Sequence, residues 1–439
     1  MQLPILTASQ DSIAHDPPVL RTLCIAFGAL LAVLPLAHVT ALRNTLVGVV
    51  VATALAQFRP APWRNIPGIV PWLIWLAYAA ASIGWSALPD VSFQSFRSDQ
   101  FYPFAIFLVS FVLMPTLGGR LAVVVGGAAG TALCLGTMFA AANLGIDPDA
   151  AAPQSGVLGW LAWKAGDVSD SSTYVAFIAV PLYLIVLTSR HRWRRWGAAA
   201  WLVAFAAIGF LSESRTLVAT LFVSFIGFLT ALGILRGTLR WKSVLMIAAI
   251  GLIASAVSIE IISRVRLPVP QPTDRSVAID MIAADSRPAI WAAYFELAQK
   301  RPWLGVGLGR SVPSRAYRLE NDEVLRRIDL QAPSHAHNVL LDLVLQVGVI
   351  GLALWLWLHI EILRLAWQRA RSGDDREKAW VAAAVALVLS LLMKNSTNDV
   401  TVYGNAILFW ALLGTTLGLV WRRADVPSEA VLAPQPVPG

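Results

Sequence analysis

Charge is scarce in this chain. Of its 439 residues only 14% are Asp, Glu, Lys or Arg while 57% are hydrophobic, which excludes a string of ordinary soluble domains. Cysteine is scarcer still. Cys24 and Cys134 both lie inside apolar runs; they offer neither a disulfide framework nor a zinc spacing and read as small buried hydrophobes. A cleavable signal peptide is not evident. The first apolar run, Leu20–Ala37, has no basic stretch ahead of it and no small-residue cleavage pattern behind it, so it is expected to be a permanent span. No internal repeat of fixed period stands out.

What the chain has in abundance is apolar runs. The mean hydropathy is +0.65, and runs long enough to cross a bilayer core of roughly 30 Å as helices recur along it. The expected fold is an all-α integral membrane protein with about twelve spans, near 20–38, 43–58, 67–86, 100–117, 121–144, 172–189, 197–212, 216–235, 243–262, 338–360, 379–394 and 405–421. These divide the chain into nine spans over 1–263, a polar loop domain over 264–337, three spans over 338–421, and a Pro-rich tail over 422–439 that is expected to be disordered.

The net charge of +8 would suggest nucleic acid in a soluble protein. Here the basic residues are split among short loops: Arg190, Arg192, Arg194 and Arg195; Arg236, Arg240 and Lys242; Arg364, Arg369, Arg371, Arg376 and Lys378; Arg422 and Arg423. That is the distribution of cytoplasmic loops under the positive-inside rule, and it argues against a nucleic-acid partner. With both ends cytoplasmic, the polar island Arg264–His335 falls on the outer face, together with the connections near 90–99, 147–170, 213–215 and 394–403. In a bacterium that face is the periplasm.

The chemistry is expected in those outer segments. Asp285-Ser286-Arg287-Pro288 has the capping residues and proline of a helix start, and the run Ala289–Lys300 reads as the helix. Arg287 and Trp291 are four apart and share a face, with Tyr294 and Phe295 extending its apolar side; an interfacial helix with a snorkelling Arg is the plainer reading. Pro302-x-x-Gly305-x-Gly307 follows. Its backbone N–H groups suit close approach to phosphate, but it matches no nucleotide fingerprint and also reads as a tight turn. His335-Ala336-His337-Asn338 opens the next span, where a histidine can act as a proton acceptor near neutral pH. The His-x-His pair has no third metal ligand at a suitable spacing, so no metal is expected. Arg215 lies in Ser212-Glu213-Ser214-Arg215, between two apolar runs with almost no loop; it reads as a gripping cation for phosphate, or as half of a local pair with Glu213. Asp399, in the loop 394–403, could orient a histidine or bind sugar hydroxyls, and a plain polar turn is the alternative.

Taken together, Ser-Glu-Ser-Arg215 at the outer end of a middle span, Arg287-x-x-x-Trp291, Pro302-x-x-Gly305-x-Gly307, and His337-Asn338 trailed by Gly348 and Gly351 resemble the O-antigen ligase family. The resemblance implies a membrane glycosyltransferase architecture of the GT-C type in the inner membrane, with its active site on the periplasmic side. It implies transfer of an O-antigen chain from undecaprenyl diphosphate to a sugar hydroxyl of lipid A-core, without ATP, metal or other cofactor. On that reading Arg215 and Arg287 hold the diphosphate and His337 is the base. Trp291, Gly305, Gly307, His335, Asn338 and Asp399 line the substrates. O-antigen polymerases and protein O-oligosaccharyltransferases of the same superfamily are the neighbouring alternatives. The Arg and Gly separated by ten residues that polymerases often carry are not found in the outer loops. A lipid-linked glycan transporter is the alternative of another class, against which the polar candidates gather at one face. Nothing in the sequence speaks to oligomeric state.

Overall fold

A computed structural model describes residues 17–58, 66–144, 159, 163–164, 168–211, 214–239, 242–243, 246, 287–328, 333–396 and 403–421. Its elements, in chain order, are α1 (Pro18–Val33), α2 (Thr40–Gln57), α3 (Ile69–Ala81) with a 3₁₀ turn at Ser82–Trp85, and α4 (Pro89–Ser95). A π-type turn at Phe96–Phe101 then leads into α5 (Tyr102–Leu113). After these come α6 (Leu117–Leu144), α7 (Val168–Thr188), α8 (Arg192–Leu211) and α9 (Arg215–Leu235). The polar island contributes α10 (Arg287–Ala298), α11 (Val312–Ala316) and α12 (Glu323–Ile328), and the chain ends in α13 (Val339–Arg371), α14 (Asp375–Asn395) and α15 (Tyr403–Trp421). Among the described residues every element is helical.

Each expected span except 243–262, nearly all of which lies outside the described residues, coincides with one of these helices. Only five, however, are long and apolar enough to cross a membrane: 117–140, 170–188, 216–235, 339–371 and 403–421. Several of the others are shorter or open on charge. Helices α1 and α3 have 16 and 13 residues. Helix α5 has 12 because the π-type turn precedes it. Helices α8 and α14 carry charged first turns, Arg192-Trp-Arg-Arg195 and Asp375-Arg-Glu-Lys378.

Helices in lipid gain little from burying apolar surface and associate through close packing, which small residues permit. The chain does this at two seams. A side chain at Gly126 would overlap the backbone of Gly28, fixing α1 against α6. One at Gly414 would overlap Ser110 and the Phe107 carbonyl, fixing α5 against α15. Between the seams lies an aromatic layer in which the Trp72 and Trp410 rings are 4.3 Å apart and Phe104, Phe107 and Phe409 close around them.

The bundle has two unlike ends. At one, the basic loops gather: Arg195 donates to the Val186 carbonyl, Arg236 faces Asp375 at 3.7 Å, and Arg369 faces Glu377 at 3.9 Å. There α14 starts with a reciprocal capping box between Asp374 and Glu377. The other end collects the polar residues considered next.

Candidate active site at one end of the bundle

Helix α13 is interrupted at Gly348, whose φ of 70° and ψ of −179° are not helical. Breaking a helix frees carbonyls before the break and amides after it, and in an apolar setting each needs another partner. The loop after α10 supplies them. Val306 N donates to the Leu345 carbonyl at 2.9 Å, Gly307 N to the Gln346 carbonyl at 2.8 Å, and Val349 N to the Pro302 carbonyl at 2.8 Å. Tyr78 Oη donates to the Val347 carbonyl at 2.8 Å, and Gly309 N to Gln346 Oε1 at 2.8 Å. The loop is tied to α3 and its 3₁₀ turn as well, through Ala87 N to the Val306 carbonyl and Trp85 Nε1 to the Leu304 carbonyl.

This accounts for the glycines differently from the phosphate-cradle expectation. Gly305 N donates to the Arg301 carbonyl and Gly307 N to Gln346, so both amides are engaged within the protein. Gly305 has φ +66° and packs on the backbone of Leu345 and Gln346, and Gly307 has φ +119° and packs on Ser86; a Cβ at either would overlap those atoms. Gly348 packs in turn on the Trp303 carbonyl. The motif seats a loop in a broken helix.

Just before α13, Asn338 is its N-cap: Oδ1 accepts from Leu340 N at 3.0 Å and Leu341 N at 3.2 Å. Asp342, buried in the first turn, accepts from Ala336 N at 2.9 Å. These bonds fold the His335–Asn338 segment back over the helix start and hold His337 in the left-handed region at φ 52°. Only a few per cent of non-glycine residues adopt that conformation, and such residues concentrate at functional sites. His337 is half-buried, whereas His335 is 3% exposed, and the two rings lie 3.9 Å apart. His335 Nε2 is 2.8 Å from Arg310 Nη2, and its Nδ1 is 2.7 Å from Ser334 Oγ.

Helix α10 starts at Arg287, two residues before the expected run. Its inner stripe is Ile290, Tyr294 and Ala298, which cluster with Leu319, Leu325, Ala336 and Leu345. The helix bearing Arg287 and Trp291 is thereby packed against the segment bearing His337. Tyr294 is fully buried while Phe295 is 59% exposed, so the two do not share a face as expected; neighbours on a helix are about 100° apart. Burial, then Asp342 and Asp322, push the Tyr294 phenol pKa up, which keeps its proton in place. Arg287 and Trp291 are half-buried, and among the described residues Trp291 Nε1 is buried without a hydrogen-bond acceptor.

Arg215 is not brought against these residues by any contact among the described residues. It is the first residue of α9, with its side chain outside the described residues, as are Glu213 and Asp399. The next residue, Thr216, accepts from Lys394 Nζ at 3.4 Å, and Ser172 at the start of α7 accepts from the same ammonium at 2.8 Å. Lys394 is 1% exposed. Close by, Asn405 Nδ2 donates to Asp170 at 3.1 Å, Tyr403 N donates to Asp99 at 3.2 Å, and Arg43 lies over the Tyr403 ring at 5.8 Å.

Residues 200–356 match the family model described as O-antigen ligase. This segment belongs to the O-antigen ligase family. The match covers about a third of the chain and takes in Arg215, Arg287, the glycine loop, His337 and Gly348. No curated protein matches the chain. Two residues that bear on the O-antigen ligase segment were not singled out as site residues from sequence. Lys394 lies beyond it and reads as the start of a polar turn, although an ionisable residue at the very end of an apolar run was the available signal. Arg310 lies within it and, with Arg315 and Arg318, reads either as an attractor of core-oligosaccharide phosphates or as part of a solvated face; no sequence pattern marks its contact with His335.

Proposed function

We propose that the protein transfers an O-antigen chain from undecaprenyl diphosphate to a sugar hydroxyl of lipid A-core, at the periplasmic face of a bacterial inner membrane. The observation that carries this reading is His337, held half-buried on left-handed backbone at the start of α13, against the helix of Arg287 and Trp291, all inside the O-antigen ligase segment.

His337 takes the proton from the acceptor hydroxyl as its oxygen attacks the anomeric carbon. The bond from that carbon to the diphosphate oxygen breaks on the opposite side, so configuration inverts. Arg287 and Arg215 stabilise the negative charge that builds on the departing lipid diphosphate. The donor arrives with its leaving group attached, so placement, charge stabilisation and a base suffice, without nucleotide or metal. Trp291 offers a face and an N–H to a sugar, and Asp399 a hydroxyl partner. Gly305, Gly307 and Asn338 act by shaping the loop and helix start. A cavity of about 210 Å³ among α1, α6, α7, α8 and α15, lined by Leu31, Val124, Pro181, Trp201, Phe205 and Leu412, suits a stretch of the polyprenyl tail.

The test is transfer by the purified full-length protein in lipid, with a lipid-linked glycan as donor, lipid A-core as acceptor, and EDTA present. Glycan joined to lipid A-core is the expected product. Glycan that only lengthens on its lipid carrier makes the protein a polymerase, and movement of the donor across the bilayer without transfer makes it a transporter.

A further inference from the structure

The two histidines of His335-Ala-His337-Asn338 are chemically unequal in the structure. A guanidinium only donates hydrogen bonds. Arg310 Nη2 lies 2.8 Å from His335 Nε2 and 3.2 Å from its Nδ1, so the guanidinium is set against both ring nitrogens. The Nδ1 is also 2.7 Å from Ser334 Oγ. Both nitrogens of His335 are thus engaged within the protein and the residue is 3% exposed, so the ring is not open to a substrate hydroxyl. What it does touch is His337, ring on ring at 3.9 Å with planes 43° apart.

Arg310 is itself held in place. It follows Gly309, whose N–H donates to Gln346 Oε1 at 2.8 Å, in the loop seated in the break of α13. A continuous chain of contacts runs from the helix break, through the loop and Arg310, to His335 and so to His337. From this geometry we infer that Arg310 and His335 are positioning residues for His337: Arg310 fixes the plane of His335, and that ring fixes the imidazole that accepts the acceptor's proton.

The inference rests on the reading of His337 as the base, and the experiment separates the two. Transfer is measured with full-length protein carrying His337→Ala, Arg310→Met, Arg310→Lys, His335→Ala, His335→Gln, or Arg310→Met with His335→Ala. Misplacing a reacting group by about 1 Å can cost on the order of 100-fold. Arg310→Met and His335→Ala are each expected to lower kcat by roughly 10- to 100-fold, with KM for donor and acceptor unchanged. The double variant should be no worse than the poorer single one. Arg310→Lys keeps a donor for the His335 ring and His335→Gln keeps an acceptor for Arg310, so both should recover part of kcat, and they carry the test if the harsher variants do not fold. Full kcat in Arg310→Met overturns the inference, as does a raised acceptor KM with kcat intact, which would make Arg310 a direct contact for acceptor phosphates. Additive losses overturn it too. If His337→Ala itself transfers at the normal rate, the base assignment falls instead.

Discussion

The two ends of the bundle solve the same problem, ending helices in water, with opposite contacts. At the end with the basic loops, most partners are neighbours along the chain or flank one tight turn: Glu361 with Arg364, Asp374 with Glu377, Arg369 with Glu377, the long, partly exposed pair of Arg236 with Asp375 being the exception. At the other end, partners come from far apart: Lys394 with Ser172 and Thr216, Asn405 with Asp170, Tyr403 with Asp99, Tyr78 with Val347. Local pairs cap helices and set charge, and they survive small shifts of one helix against another. Contacts between distant segments demand that many helices stop at fixed heights, a demand worth meeting where reacting groups must be held to a fraction of an ångström.

If that contrast is functional, substitutions at the two ends should differ in size by orders of magnitude. The largest effect is expected at His337. Its alanine variant should lose roughly 10²- to 10⁴-fold in transfer rate, as general bases do, while still binding the lipid-linked donor in an equilibrium assay. Arg215→Ala and Arg287→Ala should each raise the barrier by about 3 kcal/mol, read as kcat/KM. Lysine in either place should restore little, because a fork becomes a point charge. Near-normal rates in both alanine variants would remove these arginines from the chemistry.

Gly348→Ala comes next and should act on stability. Its Cβ would overlap the Trp303 carbonyl and its φ would be strained, at a cost of about 2 kcal/mol or more, seen as a lower melting temperature and lost transfer. Replacing Gly48, which has open space around its Cβ position, with alanine should do neither. The smallest effect belongs to the opposite end. Arg236→Ala removes a long, partly exposed pair with Asp375, worth about 0–1 kcal/mol, and should leave transfer unchanged. A large loss there would dissolve the contrast. Reporter fusions after Arg195, Lys242 and Lys378 should report cytoplasm and one near Asp322 periplasm; a cytoplasmic signal at Asp322 would turn the contrast upside down.

Much of this layout is legible in the residues. Apolar runs mark helices because each must be satisfied within itself in lipid, and Asn338 before an apolar run marks a helix start because its side chain can cap. Positive clusters mark one end. What sequence conceals is tertiary. The run 338–360 reads as a single span, and nothing local says that it breaks at Gly348, since the partners for the freed groups come from Tyr78 and from residues 302–307. Which of Tyr294 and Phe295 turns inward depends on what waits at Ala336 and Leu345. That Lys394 is buried follows only from three helix ends meeting.

The break in α13 also bears on how the molecule can be cut and recombined. A division at 337/338 looks natural, separating a polar loop from a span. Hydrogen bonds cross it at Val306, Gly307, Gly309 and Val349, and Tyr78 adds a strand of the same net from the other side. A loop expressed alone would leave those amides and carbonyls without partners, and a chimera joined at 337/338 would mismatch them. Grafts that change donor or acceptor preference should carry 302–309, 335–349 and the turn after α3 as one cassette.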